Sequence, residues 1–309
     1  MSEVFGNTIT QLILLFAFIL VGFLFGKKGI IPKEAAGTLS KLETWLFMPA
    51  LAFRNCANNC KIENVSQYIT YIGISSAAVI VLFAIARFLA GKFARKESDV
   101  GIYSYALTVA NCGYMGYPMM QAMFGDVMLF KMMITAIPVN IYIYTLGMAM
   151  MTKGKVSFRS LVNPVFIGTA LGIIIGLSGI SVPPLMDGFL ASASGCMSPV
   201  AMLIAGLVIS RLKLSELFGD VRVYLAASLR LIFLPAALIA VLALLGVGTE
   251  LLTIMLVLYA MPIGMNTIVF PEAHGINAKT GAGLVLISNL ASIVTIPLMV
   301  LLFLQIFPM

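Results

Sequence analysis

Two polar interruptions lie inside hydrophobic segments of the chain, and they carry the residues best suited to hold a small solute. The first is Asn111-Cys-Gly-Tyr-Met-Gly-Tyr-Pro118 and the second is Met261-Pro-Ile-Gly-Met-Asn266. Glycine and proline weaken helices, which frees N–H and C=O groups that lipid cannot satisfy. Such backbone is tolerated where protein or a watery cavity surrounds it. A pair of breaks in two halves of a chain is therefore typical of a carrier's substrate site.

The first break is predicted to unwind through Gly113 and Gly116 and to resume as helix at Pro118, since proline suits a first helical turn. If the two breaks cross, two half-helix N-termini and two C-termini meet at the midplane. The N-termini suit an anion, whereas carbonyls and amide side chains suit polar groups or a cation. The alternative is that both breaks are packing kinks. The expected substrate-binding residues are Asn111, Gly113, Gly116, Pro118, Asn140, Arg230, Pro262, Gly264, Asn266 and Asn289.

Arg230 is predicted to lie near the middle of the membrane. It follows the start of an apolar segment by about ten residues, or ~15 Å, half of a ~30 Å hydrocarbon core. A charge at that depth costs at least ~2.5 kcal/mol and is by default a functional candidate. Two roles are open: partner of an anionic substrate, or structural cation against helix carbonyls or Glu43.

Three further ionisable residues are ambiguous. Glu43 is comparably deep and is either a carrier of the coupling proton or a fixed ion-pair partner, whereas Lys41 lies on another face of the same helix. Glu272 is a second tentative ion-coupling residue. For Glu272 and for His274, a solvated helix end is the alternative.

Other chemistries have little support in the sequence. No phosphate-binding loop is present, and the aspartates lie at the ends of the apolar segments, so no enzyme activity and no cofactor are expected. Cys56 and Cys60 lack a partner histidine or a second cysteine pair, so no metal site is expected. The net charge of +7 comes from short loops, so no nucleic acid is expected as a partner.

The composition is that of a polytopic membrane protein, with 61% hydrophobic residues, 10% charged residues and a mean hydropathy of +1.06. At ~20 apolar residues per span, the chain is predicted to form ten spans. They cover residues 5–25, 36–54, 68–91, 101–123, 127–151, 163–180, 184–210, 221–246, 249–272 and 281–306.

Loop charges predict the orientation. One set of alternate loops holds thirteen basic residues, and the other holds three, namely Arg54, Lys61 and Lys131. The positive-inside rule then places the first set in the cytoplasm and both termini outside.

The two halves resemble each other at an offset near 150 residues. Met48-Pro49-Ala50-Leu51 matches Ser198-Pro199-Val200-Ala201, and Asn140 corresponds to Asn289. Five spans per repeat would invert the second repeat, giving halves 1–155 and 156–309. Chance matching of prolines is the alternative.

Three segments together resemble the auxin efflux carrier family, which includes bacterial malate and malonate permeases and the plant PIN auxin transporters. They are Leu42-Glu-Thr-Trp-Leu-Phe-Met-Pro-Ala-Leu51, Ala110 to Pro118 and Ala260 to Asn266. The resemblance implies ten helices in inverted five-helix repeats, as in sodium/proton antiporters and bile-acid symporters. It implies a scaffold of spans 1, 2, 6 and 7 that often dimerises, and a transport domain of spans 3–5 and 8–10.

The family's crossover Asn and Pro positions match Asn111, Pro118, Pro262 and Asn266. The third span lacks the acidic residue of the plant members, and the short loop between spans 5 and 6 resembles the bacterial permeases. The breaks, Arg230 and the resemblance together predict a secondary carrier of small mono- or dicarboxylates in a bacterial cytoplasmic membrane. The resemblance implies an elevator-type mechanism and a dimer, and a proton or sodium is the expected co-transported ion. The alternatives are a sodium-coupled carrier of the bile-acid type and a ligand sensor that transports nothing.

Overall fold

The chain is built of helices. The computed structural model describes residues 2–32, 34–152, 154–211, 219–276 and 279–307, and this part of the chain contains no β-strand. The α-helices are α1 Ser2–Lys27, α2 Ala35–Leu42, α3 Met48–Asn59, α4 Val65–Phe93, α5 Glu97–Thr108, α6 Tyr117–Thr135, α7 Ile137–Tyr142, α8 Met148–Thr152, α9 Pro164–Ser178, α10 Pro184–Ser210, α11 Val221–Ser228, α12 Leu234–Leu244, α13 Thr249–Tyr259, α14 Asn266–Ala273 and α15 Lys279–Ile306. Short 3₁₀ turns occupy Ile62–Asn64 and Phe158–Leu161.

Five helical stretches among the described residues are each long and apolar enough to cross a membrane. They are Glu3–Lys27, Ile62–Phe93, Pro184–Ser210, Val221–Leu244 and Lys279–Ile306. Of the other predicted spans, 163–180 coincides with the single shorter helix α9, and the rest consist of shorter helices joined by widened turns or breaks. The fold is therefore that of an all-α membrane protein, and the interruptions are as characteristic of it as the helices.

Four π-helical turns widen these helices: π1 Glu43–Phe47, π2 Cys112–Gly116, π3 Ile143–Gly147 and π4 Leu229–Phe233. A proline follows three of them, at Pro49, Pro118 and Pro235, each six residues after the first residue of the turn. Proline lacks an N–H and its ring meets the carbonyl one turn earlier, so the preceding helix relaxes. These three widened turns thus follow from local sequence, and two of them hold Glu43 and Arg230.

Gly125 reverses the chain inside α6. Its φ of +80° and ψ of −176° belong to a region that only glycine adopts readily. As a result Met132 packs against Gly116, with its Cε atom 2.9 Å from where a β-carbon on that glycine would sit. A straight helix would separate these residues by ~24 Å. The reversal falls between the predicted spans 101–123 and 127–151.

Close helix packing joins α1 to α10 and α3 to both α9 and α10. A stripe of glycines on α9 allows this approach. A β-carbon on Gly168 would lie 2.8 Å from the carbonyl oxygen of Pro49, and one on Gly172 would lie 2.6 Å from that of Phe53. These four helices therefore form one closely packed group.

Candidate functional site

The two interrupted stretches meet backbone to backbone. Asn111 donates its N–H to the carbonyl oxygen of Pro262 at 2.7 Å, and Ala110 pairs with Ile263 as an isolated antiparallel bridge. Val109 is extended, with φ −122° and ψ 137°, which places the chain beside its counterpart. We call the two paired segments, Val109–Asn111 and Ala260–Met265, the crossover. This pairing satisfies some of the backbone N–H and C=O groups that the breaks leave free inside the membrane.

Side chains and the following turns satisfy other groups of the crossover. The carbonyl oxygen of Asn111 accepts from the N–H groups of Met115 and Gly116 at 3.2 and 3.1 Å. The N–H of Ile263 donates to Ser288 Oγ at 3.0 Å, and Thr267 Oγ1 donates to the carbonyl oxygen of Gly264 at 2.9 Å. Sequence reasoning missed Ser288, although it directly precedes the predicted Asn289.

The expectation that the chain unwinds through Gly113 and Gly116 is wrong. Both glycines lie in the helical turn π2, and the break ends at Asn111. Their small size serves packing, because a β-carbon on Gly113 would lie 3.1 Å from Met48 Cε and one on Gly116 would lie 3.4 Å from Met261 Cγ. Pro118 lies in the first turn of α6, where it was expected.

The two crossover asparagines differ in their contacts. Asn266, the first residue of α14, donates Nδ2–H to the hydroxyl of the buried Tyr105 at 2.9 Å. Asn111 is 6% exposed, and its side-chain amide makes no hydrogen bond among the described residues. The Asn111 amide is therefore a buried polar group available to a ligand.

The other two predicted asparagines also differ from each other in their contacts. Asn289 is buried, and its Nδ2–H donates to Val285 within the same helix at 2.7 Å. Asn140 is half-buried and lines a cavity together with Tyr117 and Tyr144. Asn140 thus lines the cavity while its side chain interacts with the Tyr117 hydroxyl, whereas the Asn289 amide is partly engaged in its own helix.

Arg230 is fully buried in π4 beside the crossover. None of its three guanidinium nitrogens has a hydrogen-bond partner among the described residues. Its Cζ lies 5.7 Å from the centre of the Tyr259 ring, at the carbonyl end of α13, and it interacts electrostatically with Cys112 in π2. The ring face and the negative helix end compensate the charge only in part.

Glu43 is fully buried in π1, and both carboxyl oxygens lack a hydrogen bond among the described residues. The alternative that it pairs with Arg230 is wrong, because no ion pair joins them: Arg230 lies against Tyr259 and Cys112, and Glu43 faces Ala201 of α10 and Tyr114. Glu272 lies in α14, but its side chain lies outside the described residues, so its predicted ion-coupling role stays a prediction.

Two cavities lie on either side of Tyr117 and Leu51. The inner cavity holds about 180 Å³ and lies between α3 and α9 on one wall and Tyr117, Asn140 and Tyr144 on the other. The outer cavity holds about 370 Å³ and lies between α1 and α10 on one wall and Pro118 and Gln121 on the other. We call the line through both cavities the seam.

The count of loop charges treated Lys131 as a loop residue, and this is wrong. Lys131 lies in the second half of α6, because the chain reverses earlier at Gly125, and its Nζ is 2.6 Å from a carboxylate oxygen of Glu250. Gln67 also donates to Glu250 at 3.0 Å, and Tyr71 donates to the same oxygen. This cluster joins α4, α6 and α13.

The chain resembles known transport proteins along nearly its whole length. The family described as "Membrane transport protein" matches residues 7–158 and 148–300. "Uncharacterized transporter YfdV" of Escherichia coli is 22% identical over 94% of this chain and 96% of its own length. An "Uncharacterized transporter" of Methanothermobacter thermautotrophicus is 25% identical over 95% of this chain and 97% of its own length.

A further relative, an uncharacterized transporter of Methanocaldococcus jannaschii, is 24% identical over 91% of this chain and 94% of its own length. These matches confirm the family that the crossover segments suggested. They agree with the apolar helices of the fold, which are those of an integral membrane protein. The chain belongs to the auxin efflux carrier family of membrane transport proteins.

Proposed function

We propose that this protein is a secondary carrier of small organic anions of the mono- or dicarboxylate class. The observation that carries the proposal is the buried, unpartnered guanidinium of Arg230 beside the crossover. A positive charge that is compensated only in part in a medium of low dielectric constant attracts an anion strongly. The membrane transport family to which the chain belongs supports carriage as opposed to catalysis.

The anion is proposed to bind where the seam meets the crossover. The amide of Asn111 and the first residues of π2, at the positively polarised start of a helix, would supply the site. They adjoin the seam through Gly113, which packs against Met48 in the wall of the inner cavity. Arg230 lines neither cavity, and its neighbour in π2 is Cys112. Its positive charge would therefore attract the bound anion without touching it. Two unit charges ~8 Å apart at an effective dielectric constant of ~20 attract by ~2 kcal/mol, so contact is not required.

Transport is proposed to occur by movement of one helix group against another. Spans 1, 2, 6 and 7 would be the scaffold, which is supported by the close packing of α1, α3, α9 and α10. The remaining spans would be the transport domain. Both cavities lie between these two groups, so the seam is where the two groups are incompletely packed against each other.

The inverted repeat is proposed on the same grounds. Ala110 and Ile263 form an antiparallel bridge between the two breaks, as expected for equivalent positions related by a pseudo-two-fold axis. Both termini would face the outside of a bacterial cytoplasmic membrane. Four apolar side chains on the scaffold are exposed, and they would contact a second copy of the chain or lipid: Leu171, Ile174, Leu185 and Phe189.

A ligand screen tests the proposal. Purified protein is tested by thermal shift with acetate, lactate, malonate, succinate, malate and citrate, and the best ligand is then tested for flux in proteoliposomes. We expect Arg230→Gln to weaken binding about thirtyfold, which corresponds to ~2 kcal/mol. Arg230→Lys should recover most of the affinity, because an attraction that acts without contact needs the positive charge and not the planar fork.

Arg54→Gln is the matched control. Arg54 is already paired with Asp187 at 2.9 Å and lies away from the crossover, so its loss should leave affinity unchanged. A folded Arg230→Gln variant with wild-type affinity would remove Arg230 from the site. Binding without flux in wild-type protein would instead favour a ligand sensor.

A further inference from the structure

Glu43 is a buried acidic group that the anion site does not use. It is 0% exposed, it forms no ion pair among the described residues, and the one group there that favours its charged form is the backbone of Ala201 in α10. An ionised carboxylate cannot be held in such a place without a partner, whereas a protonated carboxyl can. The arrangement therefore stores one proton as long as the surroundings of Glu43 stay closed.

The surroundings contain little that could compensate a negative charge. Helix α9 has no ionisable side chain, and α10 has only Asp187, at its outer end and paired with Arg54, and Cys196, which is exposed. Lys41 precedes Glu43 by two residues and is exposed on a different face. From π2, Cys112 is uncharged as a thiol, and the nearby Tyr114 hydroxyl is uncharged as well.

The position of Glu43 links the two helix groups that the proposed function sets in relative motion. Its turn π1 packs against α9 and α10 of the scaffold group. Five residues later in the chain, Met48 touches Gly113 in π2, next to the crossover. Glu43, α9 and α10 belong to the scaffold group, and Tyr114 of π2 is its neighbour in the other group. A displacement along the seam would move Tyr114 away from Glu43, and hydration of the carboxyl from that side would release its proton.

We propose that Glu43 is the proton-coupling site of this carrier, taking up one proton on the side where the anion binds and releasing it to water on the other side. The inference rests on the proposed function. The balance is simple: one O–H bond forms at the carboxylate with a proton from water on one side, and it breaks on the other side. A monocarboxylate carried with that proton crosses without net charge movement.

The experiment compares two measurements in proteoliposomes, using the carboxylate of the six-member panel that exchanges fastest. Counterflow at equal pH on both sides reports anion movement alone, and net accumulation under a pH gradient reports coupling. In wild-type protein we expect external acid to raise accumulation severalfold. Glu43→Gln, which resembles the protonated form, should keep counterflow within about twofold and lose the response to the gradient.

The matched control is Glu63→Gln, at an exposed position in the Ile62–Asn64 turn, which should behave as wild type. A Glu43→Gln variant that still responds to the gradient overturns the proposal, as does loss of counterflow in a folded variant. Wild-type exchange that ignores the gradient overturns the coupling but leaves the carrier function. Absence of any wild-type flux would refute the proposed function itself.

A second measurement stands independently of the variant's folding and of flux. A hydrophobic carbodiimide reacts with protonated carboxyls in apolar sites, and mass spectrometry of the digested wild-type protein locates the label. We expect the peptide that contains Glu43 to be labelled at neutral pH. Labelling of Glu43 at acid pH that disappears at neutral pH would show that the carboxyl is ionised at neutral pH, which overturns the proposal.

Discussion

The N–H of Asn111 donates to the carbonyl oxygen of Pro262, so a backbone group freed by one helix break is satisfied by a backbone group freed by the other. Pro262 has no N–H and contributes only an acceptor, while Asn111 contributes the donor. The contact is close, since a β-carbon on Gly264 would lie 3.7 Å from Asn111 Cα. The crossover is therefore a packed element of defined geometry.

Substitutions at Gly264 test this geometry. Gly264→Ala should fold and bind ligand as wild type, because 3.7–3.9 Å is ordinary van der Waals contact. Gly264→Leu should separate the two breaks and lower the unfolding free energy by about 1–3 kcal/mol through overpacking. Thermal unfolding in detergent measures both. Equal melting temperatures for the two variants would mean that the breaks do not pack against each other.

The asparagines of the crossover should respond differently to truncation. Asn266→Ala removes the hydrogen bond to Tyr105, so it should lower stability by about 1 kcal/mol, and Tyr105→Phe should do the same. Asn111→Ala removes no side-chain hydrogen bond and should keep the wild-type melting temperature while flux is lost. A double-mutant cycle for Asn266 and Tyr105 checks their coupling. Wild-type flux in Asn111→Ala would place the substrate elsewhere.

The glycine stripe of α9 predicts a stability defect. Gly172→Ala should cost about 1–3 kcal/mol, since its β-carbon would lie 2.6 Å from the Phe53 carbonyl oxygen and 2.8 Å from Cys56 Cβ. Gly73→Ala is the control, because nothing lies within 4 Å of its β-carbon and alanine favours a helix. The measurement is thermal unfolding. Equal stability of both variants would contradict close packing of α3 on α9.

Cysteine labelling tests the orientation. In a background without the four native cysteines, Lys155→Cys should resist an impermeant maleimide in intact cells, and Lys61→Cys should react. Both positions are exposed, whereas Lys131 is largely covered by its ion pair with Glu250 and would be a poor reporter. The opposite labelling pattern would invert the topology.

Sequence patterns predicted the location of both breaks and of the reversal near Gly125, because glycine, proline and hydropathy are local signals. They failed for Gly113 and Gly116, whose role is set by Met48 and Met132 packing from elsewhere. A π turn could have been expected at Glu43 and at Arg230, since a proline follows each at short range. The position of these two π turns depends on the local sequence alone.

Partners distant in the chain could not be predicted in this way. Ser288 accepts from Ile263, Tyr105 accepts from Asn266, and the ion pair of Lys131 with Glu250 forms only after the chain reverses. The missing ion pair between Glu43 and Arg230 has the same cause. Depth in the membrane can be counted along a helix, whereas the direction in which a side chain points depends on its neighbours.

The contact of α9 with α3 has a practical consequence for imaging. Two helices whose backbones touch through Gly168 and Gly172 cannot slide past each other without collision. Their ends near Asn58 and Ser181 should keep one fixed arrangement whatever the rest of the protein does. An antibody fragment raised against that rim would add mass for electron cryomicroscopy without selecting a conformation, and every state could be aligned on it.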